Sequence, residues 1–186
     1  MIVYWISSYL IGNLMTAWWV GKRNKIDLRA HRSGNLGARN AGAVIGKKAF
    51  FMTFFGDALK GVLVILIGYY FGFPLWVIAF AGLLVIVGHL YPFWLRGKGG
   101  KGIATFIGVG LAFNPLLFCA FILGFVVFIP LLKSATLSMF FGYLTYIIAI
   151  FISQETIYAW PFYIAIALIL YRHRFDFQRA LQERKK

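Results

Sequence analysis

Residues 96–105 read RGKGGKGIAT and interrupt the apolar part of the sequence with three cations and four glycines. The segments on either side, residues 75–94 and 103–132, are strongly apolar. A helix needs about 20 predominantly apolar residues to cross a lipid bilayer. The stretch therefore predicts a polar loop between two membrane-spanning helices, and the rest of the chain can be divided outward from it.

The composition also indicates a membrane protein. The 186 residues are 61% hydrophobic and only 13% charged, with a mean hydropathy of +0.80. Soluble domains are about 45–50% apolar and about 25% charged. We predict an all-α polytopic membrane protein with a single integral-membrane domain over residues 1–186. A single cysteine, Cys119, excludes a disulfide within the chain.

Apolar segments long enough to count as spans can be marked along the whole chain. Pro115 disfavours a helical conformation at Asn114, so the run 103–132 is divided there into two short spans. No cleavable signal peptide is expected, because no basic segment precedes the first apolar run. The sequence predicts seven transmembrane helices at 4–20, 50–71, 75–94, 103–113, 115–132, 136–152 and 157–171.

The basic residues set the orientation of these spans. With seven spans, all but one of the 19 Lys and Arg residues fall on one side, the exception being Lys60 inside the second span. Merging the two short spans would place the cations of the C-terminal tail on the opposite side from the basic loops. By the positive-inside rule, the N-terminus is expected outside and the C-terminus in the cytoplasm.

Three polar segments come together on the predicted cytoplasmic face: HRSGNLGARNAG at 31–42, GHLYPFWLRGKGGKGIAT at 88–105 and YRHRFDFQRALQ at 171–182. Glycine-rich turns present backbone N–H groups to anions, and Lys98 and Lys101 add positive charge. Each segment alone is explained equally well as a tight turn or as charge attracted to anionic lipid. Their convergence predicts a pocket for a phosphorylated substrate.

Asp57 and Lys60 lie three residues apart within the second span, which places them on one face of the helix. Charges at membrane depth usually face a functional site or each other, and both interpretations stay open here. The three histidines and five acidic residues lack the spacing of metal ligands, so no metal site and no cofactor are predicted. Nucleic-acid binding is not expected, because the chain has no soluble basic domain.

The three polar segments resemble motifs of the bacterial acyl-phosphate-dependent glycerol-3-phosphate acyltransferases of the PlsY type. GHLYPFWLRGKGGKGIAT is similar to the family pattern G-H-x-F-P-x-F-L-x-F-K-G-G-K-G-V-A-T, and SGNLGARNAGA to S-G-N-x-G-A-T-N-x-x-R. A D-x-x-K-G pattern matches Asp57, Lys60 and Gly61, and H-R-x-N begins at His173. The resemblance covers nearly the whole chain.

Tyr91, Trp94 and Ile103 are mild changes from the family pattern, Gly97 replaces a phenylalanine, and four further departures bear on the activity. Arg39 stands where the family has threonine, and Ala43 where it has an arginine expected to hold a substrate phosphate. Asp176 replaces asparagine, and Lys185 replaces the usual glutamate near the end of the tail. Arg39 lies about one helical turn before Ala43, so we hypothesise that it supplies the missing guanidinium group.

The resemblance implies a reaction in which acyl phosphate acylates the first hydroxyl of glycerol 3-phosphate, giving lysophosphatidic acid and phosphate. It implies a multi-pass protein of the bacterial plasma membrane, with membrane lipids as its surroundings. His173 or a phosphate oxygen of the substrate would accept the hydroxyl proton. The implied catalytic residues are His173, Lys101 and Ser33. The implied substrate-binding residues are Asn35, Gly37, Arg39, Asn40, Lys60, His89, Lys98, Gly99, Gly100, Gly102 and Asp176. Ser134 and Ser138 lie in a region where the family also has serines.

Two other functions compete with this interpretation. The departures at Ala43, Asp176 and Lys185 would suit a non-catalytic relative that binds lipid or phosphate. A small transporter of anionic metabolites would need polar residues along a complete path across the membrane, whereas the polar side chains here crowd one face.

Overall fold

The computed structural model describes residues 1–184, and this part of the chain is helical, without β-strands. Lys185, one of the departures from the family pattern, lies outside the described residues. Short 3₁₀ turns occur at Leu28–Ala30 and Phe93–Leu95. The α-helices of the described part are α1 (Ile2–Gly12), α2 (Thr16–Arg23), α3 (Ala38–Val44), α4 (Lys47–Tyr70), α5 (Leu75–Leu90), α6 (Ile103–Phe113), α7 (Pro115–Leu132), α8 (Ala135–Ile152) and α9 (Thr156–Glu183).

Helix α5 lies at the centre of the bundle. It packs against α1, α4, α6 and α9, while α7 packs mainly against α8. Its side chains belong to one large apolar core that includes Ile78, Ile86, Phe106 and Phe162. Helices α1 and α5 approach closely where Gly12 faces Gly88. A Cβ atom at either glycine would collide with the backbone of the other helix, so the absence of a side chain at both positions permits this approach.

The outer faces of the long helices are apolar. Leu116, Leu123 and Leu131 of α7 are exposed, as are Leu59 and two phenylalanines of α4. Such an extensive exposed apolar surface is expected to face lipid rather than water. Within the described residues, four helical segments are long and apolar enough to cross a membrane, namely Lys47–Tyr70, Leu75–Leu95, Pro115–Leu132 and Ala135–Ile152, and Ile103–Phe113 is a shorter apolar helix.

The predicted division of the run 103–132 is confirmed. Helix α6 ends at Phe113, and α7 begins at Pro115. The side chain of Asn114 caps α7 by accepting a hydrogen bond from the Leu117 N–H at 3.1 Å. Proline at the first position of a helix loses no hydrogen bond, so the Asn-Pro pair suits a helix start.

The prediction of one continuous helix over residues 4–20 is wrong. Helix α1 ends at Gly12, and α2 begins at Thr16. The Asn13 side chain donates to the Tyr9 carbonyl at 2.6 Å and accepts from the Phe93 N–H at 2.8 Å. The Asn13 carbonyl at the break also accepts from Nε1 of the distant Trp94 at 3.0 Å, a partner that an apolar run in the sequence cannot reveal.

The last helix is longer than the predicted span 157–171. Helix α9 begins at Thr156 and continues to Glu183, well past the apolar residues. The third polar segment is therefore helical, and it carries His173 and Asp176 on one face of α9, three residues apart. This extension brings the C-terminal side chains beside the glycine-rich loop.

Candidate active site

The glycine-rich loop folds back on the end of α5. The Gly99 N–H donates to the Leu90 carbonyl at 3.2 Å, and the Gly100 N–H donates to the His89 carbonyl at 3.1 Å. These two N–H groups thus bond to the protein's own carbonyls instead of presenting free donors. These hydrogen bonds fix the loop backbone against α5, so the cationic side chains of the loop start from a backbone of fixed conformation.

Glycine is required at both of these positions because the loop packs tightly on α5. A Cβ atom at Gly100 would collide with the His89 ring, and one at Gly99 would collide with the His89 carbonyl oxygen. Only a residue without a side chain allows such an approach of backbone to ring. The predicted site residue His89 thus lies beneath the loop, and its side chain is buried.

Arg172 of α9 joins the loop to the third segment. Its guanidinium donates to the carbonyls of Gly99 at 3.2 Å and Gly100 at 3.4 Å. The same group lies 5.5 Å from the centre of the Tyr91 ring, a distance typical of a cation–π contact. In the sequence, Arg172 is one of the basic residues that indicate orientation, and no local signal marks its partners.

Lys101, Asp176 and His173 meet at this junction. The Lys101 ammonium and the Asp176 carboxylate form a close ion pair. The same carboxylate oxygen, Oδ2, lies 2.9 Å from Nδ1 of His173. Lys101 and Asp176 are half-buried, and His173 is buried. The structure thus brings two of the three predicted catalytic residues together through one carboxylate.

The pKa values of this cluster depend on burial and on the neighbouring charges. Burial and, to a smaller extent, the Lys101 charge lower the pKa of His173 to about 4, because together they outweigh the opposite effect of Asp176. Arg39 also lowers the pKa of His173, so its guanidinium lies within electrostatic reach of the ring. Burial opposes ionisation of Asp176, but Lys101 and His173 outweigh it, and the pKa of Asp176 is lowered.

The buried Asn40 side chain fixes the conformation of the first polar segment, HRSGNLGARNAG at 31–42. Asn40 is buried and donates to the Leu28 carbonyl at 3.0 Å, and its oxygen accepts from the Ser33 N–H at 3.4 Å. Ser33 and Arg39 are exposed, whereas Asn35 and Gly37 are partly buried. Asn40 therefore shapes the segment, while Ser33, Asn35 and Arg39 remain accessible to a substrate.

A polar cavity of about 590 Å³ lies between the first segment, the turn from α7 to α8 and the end of α9. Its cations come from three separate parts of the chain, with Glu183 as the acidic residue of the lining. Helix α9 contributes Ala180 and Glu183 to this wall, whereas His173 and Asp176 lie earlier on the same helix and do not line the cavity. Its polar lining includes Arg39, Lys133, Ser134, Thr136, Glu183 and Arg184.

The remaining predicted site residues are divided between surface and interior. Lys98 is exposed on the loop, and Gly102 is buried at the start of α6. Lys60 is buried, and its ammonium lies 3.0 Å from Asp57 and 2.7 Å from Nδ1 of His89. It also donates to the carbonyls of Gly12 at 3.1 Å and Leu14 at 2.9 Å, so its hydrogen bonds go to the protein itself.

The chain is similar to known proteins over nearly its whole length. The family model described as glycerol-3-phosphate acyltransferase matches residues 2–183. The chain belongs to this family. A Bacillus cereus (strain ATCC 10987 / NRS 248) protein named glycerol-3-phosphate acyltransferase 1 is 46% identical over 136 residues, which are 72% of this chain and 74% of that protein.

Other members of the glycerol-3-phosphate acyltransferase family match almost the full length. The glycerol-3-phosphate acyltransferase of Bacillus subtilis (strain 168) is 36% identical over 180 residues, covering 96% of this chain and 92% of that protein. A crystal structure of PlsY, an integral membrane glycerol 3-phosphate acyltransferase, in its glycerol 3-phosphate form superposes with a TM-score of 0.89. That chain is 32% identical, and the match covers 98% of this chain and 92% of that one. The lysophosphatidic acid form gives a TM-score of 0.86. The resemblance inferred from the motifs is thus confirmed.

Proposed function

We propose that this protein is the enzyme that transfers an acyl group from acyl phosphate to the first hydroxyl of glycerol 3-phosphate, releasing phosphate and lysophosphatidic acid. Family membership over residues 2–183 supports the activity. The observation that carries the proposal at the level of side chains is the junction of Lys101 with Asp176 and His173 of α9, the same helix that also lines a cavity with three cations. Two phosphorylated substrates need two anion-binding regions, and this face offers both.

The acceptor's phosphate is assigned to the first segment and the adjoining cavity. Arg39 lines this cavity together with Lys133 and Arg184. Ser33 and Asn35 supply further hydrogen-bonding groups beside Arg39. A guanidinium group binds phosphate through two parallel hydrogen bonds, which gives orientation as well as affinity. This placement brings the glycerol hydroxyls toward α9.

The donor's phosphate is assigned to the glycine-rich loop. Lys101 donates one of its three N–H groups to Asp176, which leaves two for an anion. Lys98 is exposed on the same loop and adds positive charge at its entrance. Acyl phosphate is already an activated acyl donor, so the protein needs to position the hydroxyl and to stabilise the charge on the departing phosphate.

We also propose that the single domain crosses the membrane seven times, with the N-terminus outside and the active-site loops at the cytoplasmic face of the bacterial plasma membrane. Helices α1 and α2 would together form the first span despite their break. The distribution of Lys and Arg supports this orientation. In a Cys119→Ser background, a cysteine introduced at Arg96 is expected to react with a membrane-impermeant reagent only in inverted vesicles. Labelling in right-side-out cells would reverse the orientation.

The activity is tested with purified protein in detergent or lipid mesophase. Phosphate release and lysophosphatidic acid formation are measured together, with acyl phosphate and glycerol 3-phosphate supplied singly and jointly. We expect equal amounts of both products, and only when both substrates are present. Acyl-CoA replaces acyl phosphate in a parallel reaction. Well-folded protein without turnover from either donor would favour a non-catalytic relative that binds lipid or phosphate.

Arg39 provides a test of how this chain compensates for Ala43. Replacing Arg39 with alanine removes a guanidinium group from the cavity, and the KM for glycerol 3-phosphate is expected to rise about 10–100-fold, the usual effect of losing a charged hydrogen bond of about 1.5–3 kcal/mol. Adding Ala43→Arg to this variant restores an arginine at the family position, one turn along α3.

The double variant is expected to regain most of the lost affinity. Exposed Lys47, at the start of α4, provides the charge-matched control, since Lys47→Ala removes a cation outside the cavity. An unchanged KM in Arg39→Ala would show that another group binds the acceptor's phosphate.

A further inference from the structure

One carboxylate connects the two side chains that the proposed reaction uses. Asp176 Oδ2 pairs with the ammonium of Lys101 and lies 2.9 Å from Nδ1 of His173. The contact with Lys101 joins residues 75 positions apart in the chain, whereas His173 is three residues before Asp176 on α9. The carboxylate therefore fixes the relative position of a cation and an imidazole at the proposed site.

The contact with Asp176 determines which ring nitrogen of His173 carries hydrogen. An ionised carboxylate only accepts hydrogen bonds, so Nδ1 must be the donor. In the neutral imidazole, Nε2 then bears the lone pair. Nε2 is buried and has no hydrogen-bond partner among residues 1–184. A buried acceptor without a partner is costly, and a catalytic role is one physical reason for a protein to keep such a group.

We propose that Asp176 is a positioning residue that holds His173 in the Nδ1–H form, so that Nε2 accepts the proton of the acceptor hydroxyl. The inference rests on the proposed function. The hydroxyl oxygen of glycerol 3-phosphate forms a bond to the acyl carbon, its proton moves to Nε2, and the bond from the acyl carbon to the phosphate oxygen breaks. Phosphate leaves with the bonding electron pair, and the imidazolium later returns its proton to solvent.

The charges around His173 suit this role. Burial and then the charges of Lys101 and Arg39 lower the pKa of the ring to about 4, so the imidazole is neutral at pH 7 and its lone pair is available. Asp176 acts in the opposite direction and stabilises the imidazolium as it forms. The base is therefore lost only as the pH falls through the lowered pKa of His173.

Asparagine, the residue of the family pattern at this position, would act differently. Its side-chain amide both donates and accepts, so it is compatible with hydrogen on either ring nitrogen. A carboxylate permits one arrangement only. The substitution at Asp176 thus gives this chain an imidazole–carboxylate pair in place of an imidazole–amide pair.

The first test reads the protonation of the ring directly. In ¹⁵N NMR spectra at pH 7, His173 is expected to show a protonated Nδ1 and an unprotonated Nε2. Its signals are assigned by their loss in His173→Asn. Asp176→Asn is expected to produce a mixture of the two neutral forms. Hydrogen on Nε2 in the parent protein, or an unchanged spectrum in Asp176→Asn, would overturn the inference.

The second test reads catalysis. His173→Asn keeps an N–H donor facing Asp176 but removes Nε2, and its kcat is expected to fall at least about 100-fold, the lower range for general-base catalysis. Asp176→Asn is expected to lower kcat about tenfold with little change in KM, and Asp176→Glu to restore part of the loss, because they alter orientation rather than binding. Asp27→Asn, which removes an exposed carboxylate paired with Arg29, is the matched control.

The pH profile distinguishes positioning from general damage. Because Asp176 raises the pKa of His173, the acid limb of kcat should move to lower pH in Asp176→Asn while the plateau falls. A structural defect would lower kcat by the same factor at every pH and leave the pH of the acid limb unchanged. Retention of kcat within tenfold in His173→Asn would assign the proton to a phosphate oxygen of the substrate, leaving the acyltransferase activity intact. An inactive parent protein would instead reject the proposed function.

Discussion

Lys101→Ala is expected to lower kcat about 10²–10³-fold, the usual loss when one group that stabilises developing negative charge is removed. The Lys101 ammonium is the half-buried cation of the glycine-rich loop, and it is paired with Asp176 beside His173. Its remaining donors are assigned to the departing phosphate. The measurement is initial rate against the concentration of each substrate, with phosphate and lysophosphatidic acid quantified separately.

The same variant has a second expected effect. Lys101 lowers the pKa of His173, so its removal should raise that pKa and move the acid limb of the rate profile to higher pH. Arg96→Ala is the control, since it removes an exposed cation from the same loop. If Arg96→Ala reduced kcat as much as Lys101→Ala, the loop would act through its overall charge and not through a positioned ammonium group.

The parts of the fold that depend on local chemistry could be predicted from the sequence. The boundary at Asn114–Pro115 is one example, because proline and a capping asparagine act on adjacent residues. The polar character of the loop at 96–105 is another. Such features need no knowledge of distant parts of the chain, and the structure has both where the sequence placed them.

The break between α1 and α2 could not be predicted in this way. Its stabilising partner is Lys60, which is 48 positions away from Gly12 and 46 from Leu14. Hydropathy measures how apolar a segment is, and residues 4–20 are apolar whether or not the helix is interrupted. Only the packed structure shows that the free carbonyls at the break have a cationic donor.

The sequence predicted which segments form the candidate site, but it did not predict the contacts between their side chains. Motif similarity pointed to Lys101 and His173 as catalytic residues and to Asp176 as a substrate-binding residue that departs from the family pattern, but it did not indicate that Asp176 contacts both of them. Its contact with Lys101 depends on the extension of α9 past residue 171, which an apolar run does not indicate. Arg172 was missed for the same reason, since its partners are carbonyls of the loop.

Lys60 was predicted to bind substrate, but all of its contacts in the structure are with other groups of the protein. Its ammonium is buried and contacts the carbonyls of Gly12 and Leu14, the Asp57 carboxylate and the His89 ring. Thr16 of α2 also donates to Asp57 at 3.0 Å. Because α1, α2, α4 and α5 all meet at this cluster, we expect the cluster to stabilise the break between α1 and α2 and the end of α5 on which the glycine-rich loop packs.

Lys60→Met is therefore expected to lower the free energy of unfolding by about 3–5 kcal/mol, the usual cost of leaving one member of a buried ion pair without its partner. Methionine fills a similar volume but leaves the Asp57 carboxylate without its counter-charge and the carbonyls of Gly12 and Leu14 without their Lys60 donor. The measurement is equilibrium unfolding in mixed micelles, followed by circular dichroism. Lys48→Met, which removes an exposed cation from the start of the same helix, is expected to change this free energy by less than about 0.5 kcal/mol.

A second substitution separates the buried charge from the rest of the cluster. Asp57→Asn combined with Lys60→Met removes both charges, and it should be less destabilising than the sum of the two single substitutions, because neither leaves an unpaired buried ion in the double variant. The opposite pattern would return Lys60 to the substrate-binding role that its motif suggested. In that case Lys60→Met would match Lys48→Met in stability while raising the KM for glycerol 3-phosphate.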